Sequence, residues 1–186
     1  MKVVVQPLAL AGVKLIKGHR IGDSRGYFAE TYVRRDFLAN DIGFDFIQDN
    51  ESCSRLPGTI RGLHFQAPPL AQTKLVRVLR GRILDVVVDL RRSSPDFGRH
   101  LTVELNESNA DQLLVPVGFA HGFCTLEPDT VVLYKVDNVY SSAHDCGVNW
   151  ADPKLAIKWP VSATGAILSD KDRALPSLDE LPVHFD

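Results

Sequence analysis

Short runs of Val, Leu and Ile, closed off by Gly, Pro, Asn or Asp, recur along this chain and give it strand-and-turn punctuation rather than helical periodicity. Residues 74–79 and 83–90 are two apolar, Val-rich runs separated by Arg80 and Gly81, and this pattern predicts a hairpin. Further strands are predicted over 100–105, 112–115, 122–126 and 130–136, with turns at 106–109 and 127–129. The one good helical candidate, residues 34–41 around Phe37 and Leu38, supplies only about two turns, too little to cover a parallel sheet. The pattern therefore predicts an all-β sandwich or barrel and rejects an α/β architecture. The segment Ala67, Pro68, Pro69 and the tail after Leu175 read as surface excursions.

Period-two alternation also constrains where chemistry can converge. On a regular strand Arg61, Leu63 and Phe65 share one face, while Gly62, His64 and Gln66 share the other. Arg61 joins His64 only if the chain bends or bulges at Gly62, which a glycine permits. Lys74, Val76 and Val78 share a face, as do Val132, Tyr134 and Val136. Each of these rows is apolar apart from one polar group, the composition that a small-molecule cavity requires.

Size and charge narrow the function classes. A chain of 186 residues with 45% hydrophobic content buries a full core and fits a single domain, 1–186, better than two. A formal net charge of −2 provides no basic field for nucleic acid. No apolar run reaches the length of a bilayer span, and the start of the chain lacks the pattern of a signal peptide, so no membrane partner and a cytoplasmic location are expected. Cys53, Cys124 and Cys146 are odd in number, widely spaced and form no CxxC motif, which disfavours a disulfide framework and a zinc cluster. His64 exchanges a proton near neutral pH and Arg61 grips phosphate with a planar fork, so the RGLHFQ segment suggests proton chemistry beside a phosphorylated substrate.

Dense, ordered motifs then give the chain a family likeness. They are DSRGYFAE from Asp23 to Glu30, QDN from Gln48 to Asn50, RGLHFQ from Arg61 to Gln66, QTKLVRV from Gln72 to Val78, and SPDFG from Ser94 to Gly98. Further on come VPVGFAHGF from Val115 to Phe123, Tyr134 with Lys135, Tyr140, Asp152 with Pro153, and LSDKD from Leu168 to Asp172. Together they resemble the dTDP-4-dehydrorhamnose 3,5-epimerase family. That resemblance implies a cupin-type jelly roll (double-stranded β-helix) with a few short peripheral helices, in agreement with the strand pattern.

The resemblance also implies inversion at C3 and C5 of a dTDP-linked 4-keto-6-deoxyhexose, each carbon lying α to the C4 ketone. Carried over residue by residue, His64 is the base, Tyr134 the acid on the opposite face, Lys74 the stabiliser of the enolate, and Asp172 the partner that fixes the His64 tautomer. Substrate contacts carry over to Arg25, Phe28, Glu30, Gln48, Asp49, Asn50, Arg61, His121, Tyr140, Asp145 and Lys171, with Tyr140 stacking on thymine. Asp145 departs from the glutamate common at its position. No redox or metal cofactor is required. A metal-dependent cupin is disfavoured because Gln66 replaces the second histidine of the usual ligand motif and no acid occurs between Gln66 and Asp85. The resemblance further implies a homodimer, in which the strand bearing Arg25, Phe28 and Glu30 crosses to complete the neighbouring site. A C3-only epimerase of a modified sugar and a non-catalytic nucleotide-sugar binding protein remain the alternatives.

Overall fold

The β-branched runs become strands, in the order β1 (Val4–Pro7), β2 (Lys14–Lys17), β3 (Ile21–Asp23), β4 (Gly26–Phe28), helix α1 (Arg34–Leu38), β5 (Gln48–Ser54), β6 (Ile60–Gln66) and β7 (Lys74–Arg80). Then follow β8 (Arg82–Asp89), β9 (His100–Asn106), β10 (Gln112–Val115), β11 (Phe119–Thr125), β12 (Thr130–Val136), β13 (Asp145–Gly147) and helix α2 (Asp170–Arg173). This computed structural model describes residues 3–186; Met1 and Lys2 of the expected 1–186 domain lie outside the described residues. Two antiparallel sheets form a sandwich, one ordered β1-β2-β10-β7-β12-β5 and the other β13-β6-β11-β8-β9, with β3 and β4 as a separate hairpin. The architecture is the all-β cupin-type jelly roll with two short helices.

Alternation sorts the side chains of both sheets. Val76, Val78, Val132, Leu113, Ile83, Val87, Phe119 and Phe123 point inward and form the core between the sheets. The opposite face of the five-stranded sheet carries Leu63, Phe65, Val86, Val88 and Ala120, and the C-terminal segment covers it with Leu155, Leu178, Leu181 and Phe185. Coverage of both faces explains why β8 reads as a nearly continuous apolar run rather than an alternating one.

Three expectations from the pattern are corrected. First, the runs 74–79 and 83–90 are strands but not a hairpin: β7 pairs with β10 and β12 in one sheet, while β8 pairs with β11 and β9 in the other. Gly81, at φ +79°, turns the chain from sheet to sheet, and its backbone groups go to Glu107: its N–H donates to the carboxylate and its carbonyl accepts from the Glu107 amide. A Cβ at Gly81 would lie 2.4 Å from Thr130 Oγ1, so the corner requires glycine. Second, the tail after Leu175 is not a surface excursion. Leu178, Leu181 and Phe185 are buried against the sheet, and the Arg92 amide donates to the Phe185 carbonyl. Burying each such side chain contributes roughly 1.5–3 kcal/mol. Third, α1 ends at Leu38, earlier than expected, because Asp41 adopts φ 56° and the Ile42 amide donates back to the Phe37 carbonyl, closing the helix C-terminus. Pro68 and Pro69 are exposed as expected, though Ala67 is buried.

Candidate active site

Polar side chains interrupt the apolar inward rows and enclose a cavity of about 450 Å³, lined by His64, Lys74, His121, Tyr134 and Asp172 with Arg61 at its wall. Its volume is in the range of small-molecule sites. The decisive local feature is at Gly62. Between β6 and β11 the register runs from His121 opposite His64 to Phe123 opposite Arg61, so one extra residue is accommodated on β6. This bulge turns Arg61 and His64 to the same side, fulfilling the condition that alternation had set for them. Gly62 has φ +144°, and a Cβ there would sit 2.6 Å from the Gly122 Cα, so the bulge admits only glycine.

His64 and Asp172 form a pair. His64 Nε2–H donates to Asp172 Oδ1 at 2.5 Å, leaving Nδ1 for the cavity. Asp172 lies in α2, which Ser169 caps by accepting the Asp172 amide. Burial of Asp172 opposes its ionisation, but contacts with His64, Ser169 and the Gly62 amide outweigh it, and its carboxyl is held below the usual carboxylate range. Lys74 enters from the opposite sheet, and its Nζ donates to the His64 carbonyl at 3.3 Å. Burial pushes the Lys74 ammonium down to about 8, with Asp145 and Asp85 pulling it up and Lys171 pushing it down. Tyr134, also on the six-stranded sheet, has its phenol pushed up mainly by burial, against the pull of Arg61.

A second histidine–aspartate pair lies beside the first. His121, register partner of His64, donates from Nε2 to Asp85 Oδ1 and Oδ2 at 2.9 and 3.0 Å. The sequence reading had placed His121 among the substrate contacts and passed over Asp85. The signal was present: Asp85 is the lone charge in the inward row Ile83, Asp85, Val87. Ser52 was likewise missed. It falls in phase with Gln48 and Asn50 on β5, and its buried Oγ lines the cavity with no hydrogen-bond partner.

The cavity continues into a shallower groove that shares His64, Lys74, Tyr134 and Lys171 with it and adds Gln48, Asn50, Tyr140 and Asp145. Gln48 Nε2 donates to Asn50 Oδ1 at 2.8 Å, and the Tyr140 amide donates to Gln48 Oε1 at 3.2 Å. Asp145 accepts from the Tyr140 hydroxyl at 3.0 Å and pairs with Lys171, so the shorter acid still ties the aromatic ring to a cation. Arg61 is braced by Ser54 and the Cys53 carbonyl, each at 3.1 Å.

Four of the sequence-predicted residues are not brought into this groove. Asp49 alternates to the outer face of β5, where Lys135 pairs with it at 2.9 Å. Arg25 pairs with Asp23 in the β3–β4 hairpin, Phe28 stands 64% exposed on the same hairpin, and Glu30 lines a separate cleft near Lys17 and Gln112. Among the described residues no group of three or more His, Cys, Asp or Glu side chains is arranged to hold a metal ion.

Comparison with known proteins decides the family. The profile described as dTDP-4-dehydrorhamnose 3,5-epimerase matches residues 7–180. The chain belongs to the dTDP-4-dehydrorhamnose 3,5-epimerase family. It is 51% identical to the enzyme of that name from Sinorhizobium fredii, over 97% of this chain and 92% of the relative. The structure of the Bacillus anthracis dTDP-4-dehydrorhamnose 3,5-epimerase with TDP and pyrophosphate bound superposes with a TM-score of 0.91 at 51% identity, covering 94% of this chain and 99% of that one. The Legionella pneumophila 3,5-epimerase in complex with dTDP-4-keto-L-rhamnose superposes with a TM-score of 0.92 at 36% identity, covering 97% and 95%. As an epimerase of this family the protein is an isomerase.

Proposed function

We propose that this protein is a 3,5-epimerase of dTDP-4-keto-6-deoxy-D-glucose, giving dTDP-4-keto-L-rhamnose. The observation that carries this reading is the placement of His64, paired with Asp172 of α2, on one sheet and of Tyr134 and Lys74 on the other, with Lys74 Nζ reaching across to the His64 carbonyl. His64 Nδ1 takes the proton from C3, and Asp172 stabilises the imidazolium that forms. The electron pair left on C3 delocalises onto the C4 oxygen as an enolate, and Lys74 supplies charge there. Tyr134 then delivers a proton to the opposite face, inverting the centre. Release of the His64 proton to water and return of a proton to Tyr134 reset the site, and a modest shift of the ring brings C5 to the same base.

Substrate positioning follows from the remaining groups. Arg61, His121 and Lys171 supply positive charge or donors for the diphosphate and sugar. Tyr140 gives an exposed ring for thymine, with Gln48 and Asn50 beside it as amide partners. Arg25, Phe28 and Glu30 belong to the site of a second copy of the chain, with the N-terminal strand region crossing in a homodimer. The hairpin that carries Arg25 and Phe28 exposes the cross-strand pair Ile21 and Phe28 on one face and Tyr27 on the other, apolar groups suited to burial in such an interface. No described helix is long and apolar enough to cross a membrane, and a nucleotide-sugar substrate suits a cytoplasmic enzyme.

Incubation with dTDP-4-keto-6-deoxy-D-glucose and a 4-ketoreductase tests the proposal. The expected result is a trapped L-rhamnosyl product carrying solvent deuterium at both C3 and C5. Deuterium at C3 alone would make the enzyme a C3 epimerase, and binding without exchange would make it a nucleotide-sugar binding protein.

A further inference from the structure

The proton relay described above gives no role to the buried carboxyl of Asp85. Asp85 lies in the inward row of β8 with no exposed surface, and its register partners on the flanking strands, Phe123 and Val103, are apolar. A carboxylate in such a place persists only with compensation. The compensation comes from the Val86 amide, from His121 Nε2–H, which contacts both carboxylate oxygens, and through space from Lys74 on the facing sheet. His121 in turn lines the cavity beside Lys74.

Building on the epimerase reading, we propose that Asp85 is a positioning residue that keeps His121 doubly protonated with Nδ1–H turned into the cavity, so that His121 and Lys74 together present two charged donors to the substrate oxygens. With Nε2–H committed to Asp85, a neutral His121 would offer only a lone pair at Nδ1, which repels a developing enolate. An imidazolium offers a donor at the same point. Burial pushes the Asp85 carboxyl up, while His121, Lys74 and the Val86 amide draw it down, so the three side chains share their charge as one cluster.

Other charges act on the same ammonium. Lys74 is faced by Asp85 from β8, His121 from β11, Asp145 from β13, Tyr134 from β12, Lys171 and Asp172 from α2, and the His64 and Arg61 side chains of β6. Of these, Asp145 and Asp85 raise it, Lys171 lowers it, and burial lowers it most. Loss of the Asp85 charge together with the His121 proton that it holds leaves the net charge facing Lys74 unchanged, so the effect is read at His121 itself.

Long-range proton–nitrogen correlation spectra of protein labelled with ¹⁵N-histidine test the assignment without any substitution. At about pH 7 the His121 ring is expected to show two protonated nitrogens. A neutral, singly protonated His121 at that pH would overturn the proposal. In Asp85→Asn the His121 ring is expected to become neutral, and kcat to fall at least about tenfold with KM changed by less than about threefold. A variant that loses thermal stability but keeps both the His121 protonation state and kcat would reduce Asp85 to a structural residue. Because the spectra need no turnover, failure of the epimerase assay with an intact His121 imidazolium would count against the proposed reaction and leave the charge assignment standing.

Discussion

Two histidines on neighbouring strands of one sheet each pair with an aspartate, and the two pairs differ in almost everything but residue type. The His64 side chain is 27% exposed and its aspartate 5%, whereas His121 and Asp85 are at 7% and 0%. Asp172 sits in a short helix with Ser169 and the Gly62 amide as further donors, and its carboxyl is pulled below its ordinary value. Asp85 is walled by apolar neighbours and its carboxyl is pushed above it. The same two side chains thus yield, in one setting, an imidazole open to a cavity and backed by a stable anion, and in the other an enclosed pair close to Lys74. Solvent access and the number of donors around the carboxylate make the difference.

The largest expected effect separates the two histidines. His64→Ala should lower kcat by about 10³–10⁴-fold and abolish deuterium incorporation at both carbons, as read by proton NMR in deuterated water. His121→Ala should cost about 10²-fold and leave slow exchange measurable at both. Equal loss of exchange in the two variants would erase the distinction between base and charge donor.

Next comes the acid on the facing sheet. Tyr134→Phe should lower net inversion by about 10²-fold while His64 continues to exchange protons, so deuterium washes into unreacted substrate. Absence of such wash-in would place Tyr134 on the abstraction side.

The two aspartates should also part in their effect on stability. Asp172 has a depressed folded-state pKa, so its contribution is present above the ordinary value of 3.8 and is lost as pH falls through the folded value below that. Asp85 has a raised one, so its contribution is present below 3.8 and is lost as pH rises through the folded value above it. At neutral pH Asp172→Asn should therefore lower the melting temperature more than Asp85→Asn does, and the gap should close in acid. Calorimetry of both variants from about pH 7 down to about pH 3 measures this; a larger loss for Asp85→Asn at neutral pH would reverse the electrostatic assignment.

The smallest effect concerns the dimer. Phe28→Ala should raise KM by about tenfold, the cost of roughly one lost aromatic contact, with kcat nearly unchanged. An unchanged KM would remove the hairpin from the site.

What could be read from the sequence divides along the same line between local and convergent information. Strand positions such as β10 and β12 followed from composition and turn residues, which act over a few neighbours. Pairing partners did not: β7 and β8 looked like a hairpin because the one-residue corner at Gly81 was visible, whereas its hydrogen bonds to Glu107 and its contact with Thr130 come from distant segments. The tail after Leu175 read as surface because Leu178, Leu181 and Phe185 stand singly among Pro, Ser, Asp and Glu, yet the outer face of the five-stranded sheet needed a cover. At the site, alternation stated correctly that Arg61 and His64 could meet only through a bulge at Gly62. Alternation equally required Asp49 to face away from Gln48 and Asn50, although the family motif had swept it in with them. Asp85 was missed because a single acid in an apolar strand acquires meaning only when His121 and Lys74 are seen around it.

The most direct test of the account follows the C3 and C5 proton signals of dTDP-4-keto-6-deoxy-D-glucose by NMR in deuterated water, with wild-type protein and with His64→Ala side by side. The account predicts loss of both signals with wild type and neither with the variant. Persistence of the C5 signal with wild type, or loss of either signal with His64→Ala, would contradict a single His64 base serving both carbons.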